Sequence, residues 1–465
     1  SPATEGIDFY ESLEGMLVQI NNPVATSPTA HFSTSEEIWV LPDDAANATS
    51  RTVRGASLIT ATDYNPERIQ IDDLNNAISL PDVNVGARLG TITGVVSYDF
   101  NNFEVLVPNA PSVVQASGLS REVTALVATP DQLTVATFNV ENLDPTDGAP
   151  KFAALASAIV GNLRAPDILT LEEIQDNNGA TNNGAVAADI TLNTLIDAII
   201  AAGGPAYQYR QIDPANNQDG GEPGGNIRVG FLFNPDRVGF VEPSLQRLTD
   251  SSLGDGDAFA NSRKPLVGDF TFNGETVTVI ANHFNSKGGD DPLFGPTQPP
   301  VLSSEIQRAQ QATIVADFVQ ARLALDANAR IIVAGDLNDF DFSNPVSVLE
   351  GAGLSTLIEV LPAQERYTYN FQGNSQTLDH ILTSASLRSA LDGFDVVHMN
   401  SEFADQISDH DPSVARFNIE RAGVVRTGDA GANTLVGTEF ADTLIGGLGR
   451  DVLTGSPEMD TALLA

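Results

Sequence analysis

Short apolar runs that end in a polar side chain recur through the middle of the chain. The plainest is Ile331-Ile332-Val333-Ala334, a short buried strand by its pattern, followed by Gly335-Asp336-Leu337-Asn338-Asp339. Gly335 allows a sharp backbone turn, and Asp336 and Asn338, two apart, share one face in extended geometry. A carboxylate and an amide leaving a buried strand side by side suit a site where one group moves a proton and the other holds a phosphate or a metal-bound water. An Asx-rich turn fits the same letters, so the rest of the chain has to decide.

Similar runs flank this one. Leu133–Val140 reads as a strand that carries Asn139 at its end, and Asp167–Leu171 as a strand that runs into Glu172-Glu173. Ile227–Phe233 and Val277–Ala281 follow, the second reaching His283. Helical spacing appears over Lys151–Leu163 (Phe152, Leu155, Ala156, Ile159, Leu163), Ile190–Ala202 and Ser304–Leu323. Strands alternating with helices predict an α/β domain over 132–420. Before it, Gly15–Ile20, Glu37–Leu41, Leu89–Val96 and Phe103–Pro108 predict a β domain over 1–128, a small barrel of OB-like proportions, with Tyr64–Asp73 as a polar insertion between strands. After it, glycines at 428, 437, 446 and 455 recur every nine residues, with Leu435, Leu444 and Leu453 in register.

The polar groups at strand ends form a short inventory. They are Asn139, Glu173, His283, Asp336 with Asn338, Asp379 with His380, and Asp409 with His410. Three of the chain's five histidines are among them. Strand ends on one edge of an α/β sandwich converge, so these groups can line one cleft. Carboxylates, an amide and imidazole in a chain with no cysteine suit Mg²⁺, Mn²⁺ or Ca²⁺ better than structural zinc. The net charge is −38, with only three lysines, Lys151, Lys264 and Lys287. That balance excludes a protein that grips nucleic acid by a broad basic face. No run of about 18 apolar residues offers a membrane span. Ser1–Glu5 has neither a basic nor an apolar leader, so the expectation is a targeting segment already removed or export by another signal.

The order Phe138-Asn139-Val140, Leu171-Glu172-Glu173, Asn282-His283, Gly335-Asp336-Leu337-Asn338, Leu378-Asp379-His380 and Ser408-Asp409-His410-Asp411-Pro412 resembles the endonuclease/exonuclease/phosphatase (DNase I-like) superfamily. Val279–Gly289, Ile227–Phe233, Phe9–Met16 and Asn65–Ile69 resemble its secreted bacterial extracellular nucleases. The resemblance implies a four-layer α/β sandwich. It implies Glu173, preferred over Glu172, as main metal ligand with Asn139 and Asp409 beside it. It implies His410 paired with Asp379 on the scissile phosphate, Asp336 in proton transfer, Asn338 holding its geometry, and His283 as acid or phosphate donor with no carboxylate partner identified. It places Arg228 and Arg263 on the substrate backbone, and Lys287, close to His283, is a further phosphate contact. Asp411 and His380 read as structural neighbours, and His31 and His398 carry no motif. Ile174–Asn178 supplies no arginine after Glu173, unlike DNase I. The loop Gly288–Ser304 is long enough to shape access to the site.

The nonapeptides resemble RTX repeats, which implies Ca²⁺ at turns carrying Asn433, Asp442 and Asp451, a β-roll-like tail over 427–456, and export into calcium-rich surroundings. Three repeats are few for a roll, so the chain is expected to continue in a longer protein. The function expected is a secreted, metal-dependent nuclease acting on DNA, with RNA as second substrate, without membrane insertion or an obligate protein partner. Mg²⁺ or Mn²⁺ serves the cleft and Ca²⁺ the repeats, with Ca²⁺ in the cleft as a further option. A phospholipid or sphingomyelin phosphodiesterase is the alternative within the fold, but no apolar or aromatic hairpin suited to a bilayer is evident. A non-catalytic calcium-binding matrix protein is the alternative outside it. Such a protein is expected to have lost one of Glu173, Asp336, Asn338, Asp409 or His410, and all are present.

Overall fold

The computed structural model describes residues 6–73, 78–254, 256–421, 423–438, 440, 442–455 and 460–464. The N-terminal Ser1–Glu5, on which the expectation about targeting rests, and two residues of the second nonapeptide, Glu439 and Ala441, lie outside them.

Two sheets build the α/β part. One has the strand order Gln208–Arg210, Arg228–Phe233, Ile168–Ile174, Gln132–Leu143, Ser413–Asn418, Leu391–Val396. The other runs Gly239–Phe240, Leu266–Phe272, Glu275–His283, Arg330–Asp336, Asp379–Ser384, Leu354–Thr356, with Gln246–Arg247 also on Leu266–Phe272. Alternate residues of both sheets, among them Val135, Phe231, Phe270, Val279, Ile332 and Ile381, meet in one buried layer. On the outer face of the first sheet lie helices Gly148–Ser157 and Asp189–Ala201, which bury Phe152, Leu155, Leu192 and Leu195. On the second lie Glu305–Leu325 and Asn344–Gly351, burying Val315, Val319, Val346 and Leu349. The result is the four-layer sandwich, with the three helices expected from periodicity in place.

The N-terminal segment is β-rich. Its nine-stranded sheet follows the order Leu17–Ile20, Ile92–Asp99, Asn102–Leu106, Ile69–Asp72, Glu36–Leu41, Val24–Ala25, Arg88–Leu89, Val113–Gln115, with Ala30–His31 on Glu36–Leu41. The stretch Tyr64–Asp73 is not simply a polar insertion. Ile69–Asp72 is an inner strand, and Ile69 and Ile71 belong to the core. Alternation with only two aliphatic residues among polar ones hides that strand from a reading by composition.

In the C-terminal repeats, strands eighteen residues apart pair in parallel: Val425 with Thr443, Thr443 with Thr461, and Thr434 with Val452. Two short sheets result, and Leu444 is buried between the turns. Acidic side chains lace successive turns. Asp451 accepts the Asn433 N–H at 2.9 Å, and Asp442 accepts the Val424 N–H at 2.6 Å. Asp460, one repeat beyond those picked out by sequence, accepts the Asp442 N–H at 2.7 Å.

Two local features fix the strand ends. Gly335 has φ +132°, and a Cβ there would lie 2.0 Å from the Asn282 carbonyl oxygen. The segment after His410 is pinned by Asp411, which accepts the N–H groups of Met399 and Asn400 and the Ser401 hydroxyl, and pairs with His398 at 3.4 Å. His398 stacks on Tyr367 at 3.9 Å and faces Glu365 at 3.6 Å. Burial disfavours its imidazolium, but Asp411 and Glu365 outweigh burial and raise its pKa to about 10.

Gly335→Ala is expected to lower the melting temperature by roughly 5–10 °C, because neither the positive φ nor the neighbouring strand can yield. An unchanged melting temperature would contradict that account. For His398, a folded-state pKa above the unfolded value stabilises fully below about pH 6.5, the unfolded value, and progressively less up to pH 10. Denaturant titrations of wild type and His398→Gln should therefore differ most near pH 6 and converge by pH 10; a gap that widens with pH would reverse the assignment.

Candidate active site

Strand register sets the cleft floor. Across the second sheet His283 lies opposite Asp336, and Asp336 opposite Asp379. From the first sheet, Asn139 and Glu173 arrive where pairing breaks. The register shifts between Asn139 and Leu143 on one strand and between Leu171 and Ile174 on its neighbour. Glu173 has φ +62° and Glu141 φ +54°. A bulge of this kind re-aims a side chain. Here it turns Glu173 into the cleft, while Glu172 stays wholly buried against Thr137 at 3.1 Å.

The groups contact one another closely. Asn139 Nδ2 donates to Glu173 Oε1 at 3.1 Å and to Asp336 Oδ2 at 3.2 Å, while its oxygen accepts the Glu141 N–H. Its nitrogen, and not its oxygen, faces the carboxylates. Asp336 also accepts from Asn338 twice, backbone N–H at 2.8 Å and Nδ2 at 3.2 Å. Burial raises the Asp336 pKa to about 7; His410 opposes this, and Asp379 and Glu173 add to it. His283 Nε2 sits 3.6 Å from Asp336 and 3.8 Å from Glu173. Burial, with Arg263 and His410, holds its pKa well below the ordinary value, so it is neutral. Its Nδ1 is buried with no hydrogen-bond partner among the described residues, so no carboxylate orients the ring there.

His410 faces this group from the other side. Its Nδ1 lies 2.7 Å from Asp379 Oδ2, and its Nε2 lies 3.9 Å from Asp336 and 4.0 Å from Asp409. Burial opposes its charge, but Asp379, Asp409 and Asp336 together hold its pKa well above the ordinary value. Nδ1 is thus committed to Asp379, and Nε2 carries a proton toward the cleft. Asp379 Oδ1 is buried with no hydrogen-bond partner among the described residues.

The cations differ among themselves. Arg263 is buried, donates to the Phe284 carbonyl, and lies in the field of Glu173 and Asp336. Lys287 caps the Phe340 ring at 4.1 Å and reaches Asp339 at 3.4 Å. Arg228 turns away: its guanidinium donates to Val186 O, Asp213 Oδ1 and Asn226 O and is buried among loops. His380 meets the Asp339 carbonyl at 2.8 Å, below the cleft floor.

Tyr369 is absent from the sequence inventory. Its ring lies 4.7 Å from that of His410, and burial with Asp409, Asp336, Glu173 and Glu141 pushes its hydroxyl pKa well above the ordinary range. The alternation Tyr367-Thr368-Tyr369-Asn370-Phe371 just before Asp379 was the signal available for it. Ser408, also missed, holds the Asn139 carbonyl at 2.7 Å.

A divalent cation fits this donor set. Glu173, His283 and Asp336 bring ligand atoms within 4.8 Å of one another, as do Asp336, Asp379 and His410. Hard carboxylate oxygens, one of them orphaned in a buried site, suit such an ion.

Comparison with known proteins completes the picture. The model of the Endonuclease/Exonuclease/phosphatase family matches residues 136–410. That of the RTX calcium-binding nonapeptide repeat (4 copies) matches 427–458, and a domain of unknown function matches 1–117. No curated protein matches. Similar solved structures include humanized D. rerio TDP2 with 14 mutations (20% identity, 62% of this chain, 99% of that chain, TM-score 0.41). Others are the mannosyl-6-phosphatase of Bacteroides thetaiotaomicron VPI-5482 (17%, 61%, 98%, 0.40) and the human Nocturnin catalytic domain with bound sulfate (16%, 64%, 97%, 0.42). With that match covering more than half of its length and the cleft residues from Asn139 to His410, the chain belongs to the Endonuclease/Exonuclease/phosphatase family.

Proposed function

We propose that this protein is a secreted, metal-dependent phosphodiesterase that cleaves DNA with little sequence preference, with RNA as second substrate. One observation carries the reading: the charged His410–Asp379 pair at 2.7 Å faces neutral His283 and the Glu173–Asp336 carboxylates across one small cleft. An imidazolium donor opposite a carboxylate acceptor is what phosphodiester hydrolysis needs.

Each side chain has a task in this reading. His410 Nε2 hydrogen-bonds a non-bridging phosphate oxygen, with Asp379 fixing the ring. Asp336 takes the proton of the attacking water and is aimed by Asn338 and Asn139. His283 hydrogen-bonds the phosphate or the leaving 3′-oxygen. Arg263 and Lys287 offset phosphate charge, whereas Arg228 supports the loops that flank the cleft. Glu173, with Asp409 beside it and Asn139 steadying it, is the set that would hold Mg²⁺ or Mn²⁺, which when bound polarises a phosphorus–oxygen bond and neutralises charge.

We place the boundaries at 1–128, 132–420 and 427–456. The first, OB-like segment supports the fold instead of gripping nucleic acid, because its arginines are engaged: Arg54 with Glu122 and Glu402, Arg88 with Asp44, and Arg68 buried. The repeats, of a kind typical of secreted proteins, take Ca²⁺ around Asn433, Asp442 and Asp451.

Circular plasmid DNA incubated with the protein should be nicked and linearised with Mg²⁺ or Mn²⁺ and left intact in EDTA. His410→Ala and Asp336→Ala should lower turnover by about 10²–10⁴ with folding retained. Near-wild-type turnover in either would sink the reading. Glu173→Gln keeps shape and removes charge, so its lost activity should return in part at high Mg²⁺ or Mn²⁺ by mass action. Indifference of that variant to metal concentration would put Glu173 outside the metal site.

A further inference from the structure

The hairpin Tyr369–Phe371 with Asn374–Gln376 touches both halves of the histidine–aspartate pair. Thr368, at its root, accepts the N–H groups of Leu378 and Asp379 on Oγ1, at 3.0 and 3.1 Å. Its carbonyl accepts the Asp411 N–H at 2.7 Å. Tyr369 bridges to His410 through the backbone and lies ring to ring with it. This hairpin therefore sets the separation of Asp379 from His410.

The N-terminal segment holds the hairpin from outside. Ser57–Leu58 pairs in parallel with Asn374–Ser375, making the hairpin a three-stranded sheet. Thr26 Oγ1 donates to Gly373 O at 3.1 Å, and Asn370 Nδ2 donates to Thr26 O at 2.9 Å. The amides of Asn65 and Asn374 meet at 2.7 Å. Arg68 is the centre of the grip. It is buried, it donates to Gln372 O at 2.7 Å, and its other bonds go to Tyr64 O and Asn65 O. Its guanidinium lies over the Trp39 ring at 4.9 Å and over the Phe294 ring at 5.2 Å. Phe294 belongs to the loop Gly288–Ser304, which follows Lys287. One buried arginine thus joins the hairpin beside His410 to the loop beside Lys287. A second strut runs from Arg54 to Glu402, which accepts the Tyr367 hydroxyl at 2.9 Å one residue from Thr368.

We propose that the N-terminal segment is a working part of the active site: it positions the His410–Asp379 pair by gripping this hairpin, and Arg68 is the positioning residue. A planar guanidinium held by carbonyls and two aromatic faces defines an angle as well as a distance, which an ammonium cannot do. Small displacements of a catalytic group are costly to turnover, far more than to binding. The role rests on the phosphodiesterase reading for its kinetics but not for its geometry.

The test uses the full chain with histidine rings labelled with ¹⁵N. In Arg68→Gln, turnover should fall tenfold or more, roughly the scale of a displaced catalytic group, with KM within about twofold. The low-field Nδ1–H resonance of His410 should shift or broaden, while the His31 ring, whose partners are Glu36 and Asp82, is unmoved. Arg68→Lys should recover part of both. Thr26→Val, which removes one bond to the hairpin, should cost turnover about three- to tenfold and serves where Arg68→Gln does not fold. Arg237→Gln removes an ion pair with Asp167 outside the cleft and should lower stability alone. If Arg68→Gln or Thr26→Val lowers the melting temperature but leaves turnover and the His410 resonance as in wild type, the segment only stabilises the fold and the proposal is overturned. If the wild type cleaves no phosphodiester, the resonance decides positioning by itself.

Discussion

Three polar side chains, His283, Asp336 and Asp379, lie in one row across neighbouring strands, and the cleft is arranged around the burial of that row and the repulsion between its two carboxylates. Two carboxylates facing each other across a ladder in a dry site are unstable unless donors reach them. The donors come from elsewhere in the chain: Asn139 from the first sheet, Asn338 from the turn, and His410 from the last crossing. The bulges at Asn139 and Glu173 and the tight backbone at Gly335 serve this arrangement, because regular strands would leave those groups pointing elsewhere.

Much of this was legible in the letters. Runs of apolar residues with a polar terminus located nearly every cleft strand, since a strand buried on both faces has little freedom in composition. Helix spacing located the outer layers for the same reason. What stayed hidden depends on distant partners. Nothing near Tyr369 states that Ser57 pairs beside it, and nothing near Ile69 states that it occupies the middle of a sheet. Arg228 looks like a free cation by position; only its burial among loop carbonyls and Asp213 reveals that its donors are used. The neutral state of His283 is likewise a product of burial and of Arg263, not of its neighbours in sequence.

The charge balance has a local counterpart. Basic side chains around the cleft are tied to acids: Lys151 to Glu141, Lys264 to Asp219, Arg308 to Asp339. Few donors are left to meet a polyanion, so affinity cannot come from massed counterion release.

The repeats have a sequence period of nine but a hydrogen-bonding period of eighteen, because each acidic turn caps the N–H of a turn two repeats earlier. The tail therefore obeys a parity rule. Excising one nonapeptide would carry every later strand, Thr461–Leu464 included, onto the opposite sheet; excising two would shorten the coil and leave each strand on its own side. Insertions and deletions in this region are thus equivalent only in pairs, and the direction in which the chain leaves the coil records whether the number of repeats is odd or even.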